Sequence, residues 1–186
     1  VKPHNNKGRL SKCSENILVE NATSKWGSGM AIGTVPPSTD FDCVRNVTFR
    51  NIHMQHPFKG VYIKTYPSSS GTAIIENVQF VNMSILRPVY WPIYIGPHHD
   101  GPGCLHIDKC KAESKVTIRN ISFRDIEIRD AGLYPYLILC DKSNPCTGIL
   151  LNNVHTNLWM RGGRTTRCFN AQVEQINTSP EVTCAS

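Results

Sequence analysis

The sequence has almost no helical signal. Apolar residues nowhere sustain a three-to-four-residue spacing, and no apolar run approaches the roughly twenty residues of a membrane-spanning helix. Cysteines never occur in Cys-x-x-Cys pairs, which argues against a zinc site. Charge is also sparse. Only 18% of residues are charged, and the excess of Lys and Arg leaves a moderate net charge of +6. Neither membrane nor nucleic acid is expected as a partner, the first for want of a long apolar run and the second because the cysteines and sequons described below read as those of a secreted chain. Nothing resembles a cofactor-binding motif, and no cofactor is expected. The chain opens on Val1-Lys2-Pro3 with neither Met nor leader, so processing, truncation or partial coverage is expected.

What is present is repetition. Gly60-Val61-Tyr62-Ile63-Lys64-Thr65 has copies at Gly29–Thr34 and Pro92–Pro97, with a fainter fourth at Tyr136–Asp141. Their second apolar residues, Ile32, Ile63, Ile95 and Leu139, recur at a period of about 31 residues before one longer step. Val1 fits as the tail of an earlier copy. A second ladder runs out of phase through Ile17-x-Val19-x-Asn21, Val47-x-Phe49-x-Asn51, Val78-x-Phe80-x-Asn82, Ile121-x-Phe123-x-Asp125 and Ile149-x-Leu151-x-Asn153. Each repeat thus holds at least two short strands with period-two alternation. Two or three strands recurring in this way predict an all-β solenoid, a parallel β-helix. Each coil adds about 4.8 Å to the stack. The aligned Asn side chains are expected to hydrogen-bond between coils inside it.

About five coils are expected over residues 1–160, with an insertion at 98–115 that accounts for the long step and an irregular C-terminal cap over 161–186. His98-His99-Asp100 lies in that insertion. It lacks a third spaced ligand, so no metal is expected. The Arg161-to-Arg167 run reads as a solvated turn.

Eight cysteines and five Asn-x-Ser/Thr sequons, at Asn21, Asn46, Asn82, Asn120 and Asn177, point to a secreted, extracellular, disulfide-bonded glycoprotein. Pairing by proximity gives Cys13–Cys43, Cys104–Cys110, Cys140–Cys146 and Cys168–Cys184. Asn46 and Asn120, just before their strands, are the better glycan acceptors, because Asn21 and Asn82 cannot both stack inside and carry glycans.

Trp26-Gly27-Ser28-Gly29-Met30-Ala31-Ile32-Gly33 resembles the Gly-His-Gly-[Ile/Leu]-Ser-Ile-Gly motif of polygalacturonase-type pectin hydrolases. Gly60-Val61-Tyr62-Ile63-Lys64-Thr65 resembles their Gly-Val-Arg-Ile-Lys-Thr motif, one coil later. Val44-Arg45-Asn46-Val47-Thr48-Phe49 is similar to the strand between them, and Val1-Lys2-Pro3 to the residues after the family's Asp-Asp motif. The resemblance covers residues 1–160 and implies a right-handed β-helix. It also implies hydrolysis of an acidic, pectic-type polysaccharide by catalytic carboxylates on coils before Val1.

Inverting glycoside hydrolysis needs an acid and a base about 6.5–9.5 Å apart. The outward positions of the repeated strand, taken as Lys2, Ala31, Gly33, Tyr62, Lys64, Tyr94, Gly96, Ile138 and Cys140, contain no acid. No catalytic residue is therefore assigned in this chain. Ser28 stands where the family has His, and Tyr62 where it has Arg; Ser cannot titrate near neutrality, and Tyr cannot replace a guanidinium. Lys64 keeps the family's Lys. Lys2, Ser28, Tyr62, Lys64 and Tyr94 are the candidate substrate contacts, aromatic faces beside ammonium groups. The two tyrosines equally suit a plain strand with hydroxyls in water.

Two functions compete. One is the C-terminal part of a polygalacturonase-like hydrolase. The other is a catalytically inactive, glycosylated extracellular protein for assembly or polysaccharide adhesion. Under both, the apolar end at the first coil is expected to be covered by a preceding segment, another chain or a second copy.

Overall fold

The computed structural model describes residues 1–2, 13–35, 41–66, 71–97, 112–132, 134–159 and 166–186. Twelve strands occur among them, and no helix. Long strands β1 (Ser14–Lys25), β3 (Phe41–Gln55), β5 (Thr72–Leu86), β7 (Val116–Ala131), β9 (Cys146–Leu158) and β11 (Ala171–Ile176) form one parallel sheet in that order. Short strands β2 (Met30–Val35), β4 (Val61–Thr65), β6 (Ile93–Pro97), β8 (Tyr136–Leu139), β10 (Arg167–Phe169) and β12 (Cys184–Ala185) form the second. The chain alternates between the sheets once per coil. This is the right-handed parallel β-helix.

Register explains why the repeat is visible. Val47 pairs with Val78, Val78 with Ile121 and Ile121 with Ile149, so one apolar column runs through four coils. Beside it Phe49, Phe80 and Phe123 stack with centroids 5.1 and 5.2 Å apart. These columns and Ile32, Ile63, Ile95 and Ile138 of the short strands share one core. Burial of such columns is the main stabilising term.

The long strands bend at left-handed residues five positions apart: Asn16, Asn21 and Trp26, then Asn46, Asn51 and His56, then Asn77, Asn82 and Arg87, then Asn120, Asp125 and Asp130. Asn and Asp adopt this conformation at the least cost after glycine. The Asn ladder therefore lies on exposed corners rather than inside the stack. Asn51 Nδ2 donates to Asn21 Oδ1 at 3.1 Å, and Asn82 Nδ2 to Asn51 Oδ1 at 2.8 Å. A second ladder joins Asn46 to Asn16 and Asn120 to Asn77, each at 3.3 Å.

Two other expectations change. Ile95 faces Ile138, not Leu139, a one-residue slip that turns Ile138 and Cys140 into the core and leaves Leu137 beside Tyr94. The segment expected to be an irregular cap supplies β10, β11 and β12, which continue both sheets. Disulfides join Cys13 to Cys43, Cys140 to Cys146 and Cys168 to Cys184. The Cys104–Cys110 pair, His98-His99-Asp100 and most of the 98–115 insertion lie outside the described residues.

Candidate functional site

The short-strand sheet carries the repeated motif, and two glycines set its spacing to the turns. Gly29, at φ +81°, lies so close to the next coil that a Cβ there would come within 1.8 Å of the Lys59 carbonyl oxygen. A Cβ on Gly60 would meet Ile85 Cδ1 at 2.5 Å and the Pro92 carbonyl oxygen at 2.6 Å. Both contacts exclude any side chain. The glycines thus draw each turn onto the coil that follows it. Met30 N then donates to the Gly60 carbonyl and Val61 N to the Pro92 carbonyl.

Val1-Lys2 takes the strand position before β2: Gly33 N donates to the Val1 carbonyl at 2.9 Å. Along the outward face, Ala31 pairs with Tyr62, Tyr62 with Tyr94 and Tyr94 with Leu137, while Lys64 faces Gly96. None of these residues is acidic.

The tyrosines do not stand in solvent. Tyr94 is fully buried and Tyr62 nearly so, in a second apolar cluster with Trp91, Tyr134 and Leu137. The turns before β6 and β8 supply Trp91 and Tyr134, which stack with centroids 6.1 Å apart and cover the sheet. Tyr62 and Tyr94 meet edge to face at 4.7 Å. Their hydroxyls both donate to the Pro97 carbonyl, at 3.3 and 2.7 Å. Burial, then the neighbouring Tyr62, pushes the Tyr94 hydroxyl well above its ordinary range. The buried rings thus form a wall, and any sugar would lie beyond it. A plain count of outward positions misses this, because burial here is decided by turns and not by the strand.

The wall holds cations. Lys64 Nζ lies 5.5 Å from the Tyr62 centroid. Burial, then the charge of Lys2, lowers its pKa. Lys2 itself is exposed. Lys59, a residue that motif reading passes over, lies in the turn before β4 and is only 7% exposed. Its Nζ sits 4.1 Å from the Tyr62 centroid, 5.1 Å from Phe58 and 5.2 Å from Tyr94. Burial, then Lys64, pushes its pKa down to about 8. The signal available in the sequence was its place directly before Gly60.

Ser28 is placed elsewhere. It lines an open groove of about 460 Å³ with Trp26, Gly27, His56, Phe58 and Val89. Trp26 stacks on His56 with centroids 4.8 Å apart. The structure therefore brings Lys2, Tyr62, Lys64 and Tyr94 into one region and puts Ser28 on an adjoining, largely apolar edge. The five sequon asparagines lie on exposed corners: Asn46 and Asn120 on one column, and Asn21, Asn82 and Asn177 on another.

Residues 9–180 match the family described as glycosyl hydrolases family 28. A polygalacturonase of Medicago sativa is 26% identical over 170 residues, covering 90% of this chain and 38% of the relative. Polygalacturonase-2 of Solanum lycopersicum is 28% identical over 143 residues, covering 76% and 30%. Exopolygalacturonase rpg15 of Rhizopus delemar is 28% identical over 142 residues, covering 75% and 36%. The chain thus spans between 30% and 38% of the length of these curated relatives.

Proposed function

The chain belongs to glycosyl hydrolases family 28, and from that premise we propose that it is the C-terminal part of a secreted hydrolase of acidic, pectic-type polysaccharide. In this reading the acid and base stand on coils stacked before β2, where Val1 already occupies a strand position. An inverting pair needs room for one water between its carboxyl groups. The present chain contributes the positive half of the cleft. Lys64 binds a uronate carboxylate, Lys2 adds long-range attraction, and the Tyr62–Tyr94 wall fixes where Lys64 projects. The supporting observation is the outward row itself, cationic and aromatic without one acid, within the matched region.

The test is release of reducing ends from polygalacturonate by the full-length protein. Lys64→Met is expected to lower kcat/KM about tenfold to a hundredfold, the loss of one charge-assisted contact. No release by the intact protein would sink the hydrolase reading.

Ser28 and Tyr62 favour a second reading, a glycosylated extracellular β-helix that binds such polymers, or assembles, without cleaving them. Retained polymer binding with no reducing ends would select it.

A further inference from the structure

Among the described residues, every left-handed non-glycine position is Asn or Asp except in one column. Trp26, His56 and Arg87, at φ 58°, 51° and 51°, follow the register-paired residues Lys25, Gln55 and Leu86. They therefore stand one above another at the corner where the long strands end. Bulky side chains adopt this conformation at a cost that Asn largely avoids, and strain repeated in register over three coils points to a use.

The surface beside that column is apolar and ring-lined. Trp26 and Trp159 are the two most exposed large apolar side chains described, at 65% and 74%, with Phe58 and Val89 about half exposed. Trp26 lies within 18° of parallel to His56, and Phe58 is held against Tyr90 with centroids 4.5 Å apart. The groove at Trp26 shares Val89 with a second of about 430 Å³, lined also by Arg87, Pro88, Asp130, Gly132 and Trp159. Together they follow the solenoid axis over four coil steps, roughly 19 Å. Apart from the His56 imidazole, only Arg87 and Asp130 are ionisable in the two linings, and they pair with each other at 3.4 Å. The trough is thus neutral. Fixed ring faces with a few hydrogen-bonding groups match the C–H faces and hydroxyls of pyranose rings rather than an ionised polymer. A strip one or two side chains wide gives a linear chain a track, but falls well short of the about 800 Å² per partner that a stable protein interface buries.

We propose that this corner is a polysaccharide-binding ledge, on which an uncharged chain of linked pyranoses lies along the axis. Trp26 and Trp159 are its end platforms, and the Arg87–Asp130 pair bonds hydroxyls between them. The ledge needs none of the short-strand lysines and does not rest on the hydrolytic reading. Its strain is retained because Asn at these corners would remove the platform.

Calorimetric binding to the intact protein tests this with cellohexaose and fully methyl-esterified hexagalacturonate as neutral probes and hexagalacturonate as the ionised one. At least one neutral probe is expected to bind, with little dependence on salt. Its identity then names the backbone that the ledge accepts. Trp159→Ala and Trp26→Asn are each expected to weaken that binding about tenfold. Trp26→Asn installs the residue of the other corners, so its unfolding midpoint is expected to hold or rise. Unchanged affinity in either variant overturns the ledge, as does failure of both neutral probes to bind. Weakened binding of the ionised probe alone overturns the uncharged ligand. Self-association abolished by Trp159→Ala, without sugar binding, gives the strip to a second copy and overturns the proposal. Should a variant not fold, fluorescence of the native protein supplies the second measurement. Of its three tryptophans only Trp91 is buried, so a bound neutral probe is expected to shield Trp26 and Trp159 from acrylamide. Unchanged quenching overturns the proposal.

Discussion

The two sheets share a core but treat charge on their outer faces in opposite ways. On the long-strand sheet, Glu15 faces Arg45, Arg45 faces Glu76 and Glu76 faces Arg119, so sign alternates up the column. Arg45 bonds Glu15, and Arg119 Nη2 reaches Glu76 Oε2 at 2.6 Å. Alternation is needed because register stacks equivalent positions about 4.8 Å apart, where like charges oppose each other. On the short-strand sheet Lys59 and Lys64 form no ion pair among the described residues, and they stand against rings instead. One face is neutralised within the protein. The other leaves its lysines without an ion pair among the described residues, at some cost in stability.

The largest expected effect sharpens the account of the neutral face. Asn51 is left-handed, at φ 56°, and bridges Asn21 and Asn82. Asn51→Ala is expected to cost about 1–2 kcal/mol in denaturant unfolding, from lost hydrogen bonds and the backbone penalty. Asn51→Gly, which removes only the first of these, should cost less. Equal losses would mean that the left-handed backbone adds nothing beyond the lost ladder bonds, and no loss in Asn51→Gly would mean that the ladder contributes nothing beyond conformation.

The next effect belongs to the cationic face and is read by pH. Lys59 has a folded pKa of about 8, below its unfolded 10.5. Between these values the unfolded chain holds the proton that the folded chain has released, so stability rises with pH across that window. Lys64 shifts in the same direction. The rise is expected to be on the order of 1 kcal/mol from pH 7.5 to 9.5, and smaller in Lys59→Met. Above about pH 10 it reverses, since Tyr136, raised to about 12, and Tyr94 keep protons that the unfolded chain loses. A stability that stays flat across pH 8–10 would break the contrast between the faces.

The smallest effects test it most directly, because their signs differ. Glu76→Arg places three arginines in one column and should destabilise by roughly 0.5 kcal/mol. Lys64→Glu places an acid among lysines and should stabilise by a similar amount while abolishing uronate binding. Destabilisation by both substitutions would show that the two faces do not differ in their electrostatic balance.

Much of the fold was legible because parallel stacking places equivalent residues in register, so that selection for one apolar column writes a period into the chain. The columns of Val47, Val78 and Ile121 and of Phe49, Phe80 and Phe123 are that period. Cysteines one coil apart, such as Cys13 and Cys43, fall in contact for the same reason, with Cα atoms 4.5 Å apart. The site was less legible. Leu139 and Ile138 serve equally well as the apolar anchor of β8, and only the pairing of Ile95 with Ile138 chooses between them. The Asn ladder was visible, but its corner position depends on left-handed backbone, which identity permits without requiring.

The parallel β-helix, its coil period, its family resemblance and the absence of an acid from the outward row can all be read from the residues in order, since each is a one-dimensional pattern. Tertiary structure alone decided that Trp91 and Tyr134 close over Tyr62 and Tyr94, and that Lys59 joins Lys64 at one ring. Those contacts depend on how each turn folds back over the sheet, and a turn's direction is set by packing against its neighbours rather than by its own residues.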